Sequence, residues 1–168
     1  RMHMFHRIVV PLDGSKLAEA ALPAAEEFAR LANAPIVLLR VVDFTRLEQC
    51  GPYGLALEYA SVEPVLAAER AEAVKYLEEV CSQLGAKGLS VTFAVRSGPV
   101  AREIVAATRP GDVIVMASHG RGGLSRWLLG SVAEDVVRHA LVPVMIVRAD
   151  AMAGKGDHAS AGDASRLG

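Results

Sequence analysis

The chain has 168 residues, the size of one ordinary domain, and its 52% hydrophobic and 22% charged residues are enough to form a buried core. The net charge of −1 gives no electrostatic reason to expect nucleic acid or an anionic membrane as a partner. Because no apolar run approaches the ~20 residues of a membrane helix, and two cysteines are too few for a disulfide framework, we expect a cytoplasmic protein with no membrane partner.

The first half of the chain predicts two strands, two helices and a long loop. The β-branched run at 8–10 predicts a strand that ends in a turn, and apolar residues at helical spacing predict a helix over 15–32. The nearly continuous apolar sequence of 36–42 predicts a strand covered on both faces. Residues 44–61 mix Gly, Pro and two tyrosines with no clean period, which indicates a loop, and a second amphipathic helix is expected over 62–84. The residues expected to face inward from that helix are Val65, Leu66, Ala68, Ala73, Leu77 and Val80.

The second half repeats the alternation of strands and helices. Strands are expected over 89–95, 113–116 and 142–147, with helices over 100–108 and 126–139 between them. Strands separated by helices are typical of parallel sheets because a parallel connection needs a long crossover.

The order βαβαβαβαβ therefore predicts the α/β class. We expect a doubly wound five-stranded parallel sheet of strand order 3-2-1-4-5, with helices on both faces. Residues 1–148 form a single domain in this prediction, and the small, polar, glycine-rich residues 149–168 form a disordered tail.

Unusual residues lie where three of these strands end. The first strand ends in PLDGS (11–15), the second in VVD (41–43) and the fourth in ASHG (117–120). In an open, doubly wound sheet, ligands bind beyond the carboxyl ends of the strands, where the strand order switches. The sequence therefore predicts a ligand site at this edge.

The stretch ASHGRGGLSRWLLGS (117–131) favours a phosphate at that site. Glycines leave room for a ligand beside the backbone, and successive N–H groups in such a loop can bind an anion. Gly130 and Ser131 lie near the start of the last helix, where free N–H groups favour phosphate. Asp13 suits a pair of ribose hydroxyls, although a glycine cluster and an Asp-Gly pair are each also typical of simple turns.

Several other site types are excluded by their missing motifs. The chain has no GxxxxGK[ST], no GxGxxG after the first strand and no GxSxG, so it lacks the P-loop, the dinucleotide fingerprint and the hydrolase nucleophile elbow. No His, Cys or Asp residues stand at metal-ligand spacing. A binding site built from backbone remains the best interpretation.

The chain resembles the universal stress protein family over residues 6–148. ATP-binding members carry G-x-x-G-x9-G-[S/T], and here Gly120 is followed by nine residues and then by Gly130-Ser131, with Ala117 in place of the first glycine. The endings VVPLDGS and VVD and the run PGDVIVMASHG are also similar to the family. A backbone N–H contact survives the alanine if its φ is negative.

The resemblance implies a site for ATP, or for ADP or AMP. Val41 would hydrogen-bond the adenine through its backbone, and Leu12 and Asp13 would bracket adenine and ribose. The residues implied to line the ribose and phosphates are Met116, Ala117, Gly120, Arg121 and Gly122. Those implied to hold the phosphates, with Mg²⁺ or Mn²⁺ on the phosphate oxygens, are Gly130, Ser131 and Val132. The resemblance also implies a homodimer through the fifth strand, 142–147.

Three functions stay open at this point. The first is a nucleotide-dependent module of the stress response, and the second is a slow ATPase or phosphotransferase, for which His119 is the only candidate base. The third is a nucleotide-free dimeric scaffold, which Ala117 alone favours. The segment 44–61 follows the end of the second strand, so it is expected to cover the site as a lid, to remain a solvated loop or to form part of the dimer contact.

Overall fold

The computed structural model describes residues 5–43, 59–118 and 129–149. The strands in these residues are β1 (Arg7–Pro11), β2 (Ile36–Val42), β3 (Val91–Ser97), β4 (Asp112–Ser118) and β5 (Val144–Arg148). The helices are α1 (Lys16–Glu19), α2 (Leu22–Ala32), α3 (Tyr59–Ala86), α4 (Val100–Ala106) and α5 (Ser131–His139). Residues 44–58 of the expected loop, residues 119–128 and residues 150–168 of the expected tail lie outside the described residues.

The five strands form one parallel sheet in the order β3-β2-β1-β4-β5, which confirms the predicted fold class. Successive residues of a strand point to opposite faces. Ile8 and Val10 accordingly join the core under α2 and α3, whereas Val9 joins the core under α4 and α5. Helices therefore cover both faces of the sheet, as the apolar strands require.

The helix expected over 15–32 is divided into α1 and α2. Pro23 is the cause, because proline has no N–H to donate to the carbonyl of Glu19 and its ring collides with that carbonyl in a continuous helix. The N–H groups of Ala20 and Ala21 instead donate to Leu17 and Ala18, at 3.1 Å each. The prediction of one continuous helix over 15–32 was wrong at this turn.

Helix α3 begins at Tyr59, inside the segment expected to be a loop, and continues through Pro64. Its 28 residues span about 42 Å, whereas a seven-residue strand spans about 23 Å, so half of the helix has no strand to pack on. Ala73, Leu77 and Val80 are buried as predicted. Val65 is 46% exposed and Ala68 is also exposed, which corrects the expectation that they face inward.

Other boundaries differ by a few residues. Strands β3 and β5 begin two residues later than expected, and α5 begins at Ser131 instead of 126, with Leu129 and Gly130 outside any helix. None of the described helices is long and apolar enough to cross a membrane.

Candidate functional site

A cavity of about 560 Å³ opens at the carboxyl edge of the sheet. It lies where the ends of β1, β2 and β4 meet the first turn of α5. In the sheet, β1 stands between β2, which follows it in the chain, and β4, which lies on its other side. This is the switch in strand order at which open α/β sheets form a crevice.

The cavity brings together residues that are far apart in the chain. The predicted site residues that line it are Leu12, Asp13, Val41, Met116, Ala117, Gly130, Ser131 and Val132. The three other predicted residues, Gly120, Arg121 and Gly122, lie outside the described residues, as does His119. The sequence did not point to Glu69, which lines the cavity from α3, and it marked Asp43 only as the end of a strand.

Asp13 is held in a tight turn at the end of β1. Its Oδ1 accepts a hydrogen bond from the Ser15 N–H at 2.8 Å, and the Ser15 Oγ accepts one from the Ala18 N–H at 3.1 Å, which caps α1. Gly14 has φ +88°, a conformation that side chains other than glycine rarely adopt. The turn therefore presents a carboxylate on a fixed backbone at the mouth of the cavity.

Beneath this turn, a network of polar side chains joins α1, β2 and α3. The Arg40 guanidinium lies 5.5 Å from the ring centroid of Tyr76, close enough for a cation–π interaction, and the Tyr76 hydroxyl donates to Glu19 Oε1 at 3.1 Å. Burial and the charge of Glu19 raise the pKa of Tyr76 above its usual range, so its hydroxyl stays protonated as a donor. A Cβ at Gly14 would lie 2.5 Å from Arg40 Nη1, which shows how closely the turn rests on this network.

The opposite wall is the amino end of α5. Gly130 is the N-cap residue, and the helix makes its first backbone hydrogen bond from the Glu134 N–H to the Gly130 carbonyl at 2.9 Å. The N–H groups of Ser131, Val132 and Ala133 therefore have no partner within the helix. A Cβ built at Gly130 meets no atom of the described residues within 4 Å, so among them the glycine leaves open space directly beside these donors. Such an end attracts an anion.

Ala117, the departure from the family pattern, is an ordinary strand residue. It pairs with Val147 of β5 and packs against the core under α2 and α3. Among the described residues, the only position other than glycine with positive φ is Asn33, so Ala117 has negative φ. An alanine therefore adds no backbone strain here, and the N–H and carbonyl of this position keep their normal geometry.

The remaining walls of the cavity are mostly apolar. Leu12 and Met116, both almost fully buried, form part of its floor, and Val41, Val100 and Ile104 contribute the apolar surface between β2 and α4. The cavity thus combines an apolar surface, a fixed carboxylate and unpaired N–H donors. Among the described residues, no group of three or more His, Cys, Asp or Glu side chains is placed to hold a metal ion.

Comparisons with known proteins agree with this architecture. The sequence model of the Universal stress protein family matches residues 4–148. The chain is 34% identical to universal stress protein MJ0531 of Methanocaldococcus jannaschii, over 87% of this chain and 84% of that protein. It is 31% identical to MJ0577 of the same organism over 86% of this chain and 96% of that protein, and a solved structure of MJ0577 superposes with a TM-score of 0.68 over 86% of this chain and 96% of that one.

A solved universal stress protein in complex with cAMP shares the fold at 20% identity, with a TM-score of 0.61 over 86% of this chain and 98% of that one. The extent of the family match and the two relatives above 30% identity settle the class. The chain belongs to the universal stress protein family.

Proposed function

We propose that this chain is a cytoplasmic universal stress protein that binds an adenine nucleotide (ATP, ADP or AMP) in the cavity at the ends of β1, β2 and β4. One observation carries the proposal: a single cavity of about 560 Å³ joins an apolar wall, the carboxylate of Asp13 and the free N–H groups of α5. These three surfaces match the base, the ribose and the phosphates of a nucleotide.

The placement follows from the chemistry of each wall. The adenine lies against the apolar surface beside Val41, whose backbone at the strand end offers hydrogen bonds. Asp13 accepts hydrogen bonds from the ribose hydroxyls, as acidic residues do in other nucleotide folds. The phosphates lie at Gly130, Ser131 and Val132, where the helix end is positive. The solved universal stress protein in complex with cAMP supports the idea that this fold can hold an adenine nucleotide.

The proposal assigns Mg²⁺ or Mn²⁺ to the phosphates themselves. The described residues offer no cluster of ligands for a metal, whereas the open end of α5 leaves room for phosphates that carry their own cation. The metal would neutralise the phosphate charge, and the chain's part is to supply the N–H groups of Ser131 and Val132 and the Ser131 hydroxyl as donors.

We propose binding, and not catalysis, as the main activity. Phosphoryl transfer needs a positioned base and cationic groups beside the transferred phosphate, and no described residue that lines the cavity is Lys, Arg or His. The slow ATPase alternative rests on His119. Its test is an ATP turnover assay on His119→Ala, in which unchanged slow hydrolysis removes that residue from any catalytic role.

The proposal also includes a homodimer through β5. This strand ends the sheet and pairs with β4 alone among the described strands, so one row of its backbone groups is available for another chain. Leu141, just before β5, is 95% exposed, and the apolar side chains of Val144–Val147 are only partly buried. A partner chain would cover these groups.

Titration calorimetry on nucleotide-stripped protein tests the nucleotide site. With Mg²⁺ present, we expect at least one of ATP, ADP and AMP to bind with a Kd below roughly 1 mM, which corresponds to about 4 kcal/mol of binding free energy. Denaturing the protein as purified and analysing the supernatant for released nucleotide gives an independent readout. If none of the three binds and none is released, the scaffold function is correct instead.

A further inference from the structure

The ionisable side chains that line the cavity and the helix end that attracts anions are different parts of its wall. Among the described lining residues, the ionisable ones are Asp13, Asp43 and Glu69, all of them carboxylates. The free N–H groups of α5 form the other end. Since carboxylates repel phosphate and helix N-termini attract it, a nucleotide must place its phosphates at α5 and its neutral nucleoside toward the carboxylates.

Glu69 differs from the other two carboxylates because it comes from a helix instead of a strand end. It lies in the exposed half of α3, beyond the point where the helix packs on the sheet. Its carboxylate makes no hydrogen bond or ion pair with any described residue, whereas Asp13 already accepts one from the Ser15 N–H. No described residue therefore competes with a ligand for the hydrogen bonds that the Glu69 carboxylate can accept.

The next residue holds this part of α3 in place. The Nε and Nη2 atoms of Arg70 both donate to Ser97 Oγ, at 3.0 and 2.8 Å. Ser97 is the last residue of β3 and pairs with Val42 at the end of β2, so the two hydrogen bonds attach the exposed half of α3 to the carboxyl edge of the sheet. They keep Glu69 at the cavity without using its own carboxylate.

We propose that Glu69 is a specificity-determining residue of this site and that Arg70 and Ser97 are its positioning residues. The inference rests on the nucleotide-binding function proposed above. The Glu69 carboxylate accepts a hydrogen bond from the nucleoside, either from a ribose hydroxyl or from the exocyclic amine of adenine. A hydrogen bond to a charged acceptor is roughly twice as strong as a neutral one. A ligand without the matching donor would leave the carboxylate unpaired and would bind more weakly.

The alternative is that Glu69 is a solvated surface glutamate that acts on the ligand only through its charge. The two possibilities predict opposite signs for Glu69→Ala. If the carboxylate accepts a hydrogen bond, the variant binds ATP more weakly. If the carboxylate acts by repulsion alone, its removal strengthens ATP binding, because a negative charge near the phosphates has been lost.

Calorimetry on the full, nucleotide-stripped chain separates them. The probes are ATP, 2′-deoxy-ATP, 3′-deoxy-ATP and purine riboside triphosphate, each with Mg²⁺. We expect Glu69→Ala to weaken ATP binding about tenfold. We also expect the discrimination between ATP and one of the three analogues to be about tenfold smaller in Glu69→Ala than in wild type, because any hydrogen bond to Asp13 is lost alike in both proteins. The analogue identifies the donor.

Glu72→Ala is the matched control. It removes the same charge from the exposed surface of α3 and does not line the cavity, so its ATP affinity should stay within about twofold of wild type. If Glu69→Ala behaves like Glu72→Ala, or binds ATP more tightly than wild type, the inference is overturned. If wild type binds none of the four probes and neither ADP nor AMP, it is the proposed function that fails.

The positioning contact has its own test. Arg70→Ala and Ser97→Ala should each weaken ATP binding about threefold and reduce the discrimination against the same analogue, and the double variant should show no further loss because both remove one contact. The contact is on an exposed surface, so the unfolding transition should be unchanged. Full discrimination in Arg70→Ala would remove Arg70 and Ser97 from the proposal.

Discussion

The absence of a side chain at Gly130 leaves space at the amino end of α5. The Gly130 φ of −57° suits any residue, and a Cβ there meets no atom within 4 Å in the part of the chain that the structure describes. We expect Gly130→Ala to leave the free energy of unfolding within about 0.5 kcal/mol of wild type. The new methyl group would instead occupy the volume beside the N–H groups of α5, and the Kd for ATP should rise at least about tenfold, measured by calorimetry.

Gly85→Ala provides the control for that substitution. A Cβ at Gly85 also meets no described atom within 4 Å outside the backbone of its own helix, but this glycine is in the last turn of α3 and does not line the cavity. Alanine is the better helix former, so this variant should gain up to about 1 kcal/mol of stability and keep its ATP affinity. Equal losses of ATP affinity in both variants would contradict the role given to Gly130.

Gly14 is a glycine of the opposite kind. Its φ of +88° strains any other residue, and a Cβ there would lie 2.5 Å from Arg40 Nη1. We expect Gly14→Ala to lower the free energy of unfolding in urea by about 1–2 kcal/mol. In an Arg40→Ala background the same substitution should cost less, because only the backbone strain remains. Equal costs in both backgrounds would show that the guanidinium moves aside freely.

At the scale of the elements, an ion pair attaches β1 to the start of β4. Arg7 Nε donates to Asp112 Oδ1 at 2.9 Å, Arg7 Nη2 donates to Asp112 Oδ2, and the Arg109 N–H donates to the same Oδ2 at 2.8 Å. Burial of the carboxyl would raise the pKa of Asp112, but these hydrogen bonds and the charge of Arg7 outweigh it and lower the pKa. The two strands are thus joined at the edge opposite the site.

The lowered pKa predicts an acid-dependent stability. The contribution of Asp112 to the free energy of unfolding is fully present above the carboxyl's unfolded pKa of about 4. It is lost as the pH falls from there through the lower pKa of the folded state. Urea unfolding from pH 7 to pH 2 should show this loss. Asp112→Asn should be less stable by about 3 kcal/mol at pH 7, because Arg7 loses its charged partner, and should vary less below pH 4.

Asp135→Asn, on the exposed surface of α5, is the control for that experiment and should follow the wild-type pH dependence. A wild-type curve and an Asp112→Asn curve that run parallel below pH 4 would show that Asp112 titrates alike in the folded and unfolded chains.

The elements could be predicted from local pattern, and their ends could not. The nearly continuous apolar runs at 36–42 and 113–116 indicate buried strands, because apolar residues at successive positions lie on both faces of a strand. The start of β3 is set by pairing, since Val91 lies opposite Ile36, and no local pattern contains that register. Pro23 is a helix-breaking residue and could have indicated the division of the first helix, but the helical spacing of the apolar residues on both sides of it favoured one continuous helix.

The candidate site divides in the same way. Asp13, Val41 and Gly130 follow strands or precede a helix, so topology alone brings them to one edge. Glu69 reaches the same cavity only because α3 is longer than the strands beneath it and is attached at Ser97. That placement depends on tertiary contacts, and nothing in the residues around 69 indicates it.

At the scale of the whole molecule, the exposed edge of β5 is the surface through which we propose that two copies meet. Leu141 is 95% exposed, so a charge there should leave the monomer fold intact. We expect wild type to have the mass of a dimer by light scattering and Leu141→Glu to shift toward the monomer at low micromolar concentration. Leu31→Glu, which alters a leucine that is 79% exposed on α2, should remain dimeric. A monomeric wild type would overturn the proposed dimer.

Leu12 and Met116 belong both to the floor of the cavity and to the hydrophobic core, at 3% and 6% exposure. A nucleotide held against them binds the folded chain and has no such surface on the unfolded one. At a hundred times its Kd, a ligand of this kind adds about 2.7 kcal/mol to the free energy of unfolding. Under the proposed function, the free energy of unfolding therefore rises with the nucleotide concentration, and removal of the nucleotide lowers the melting temperature.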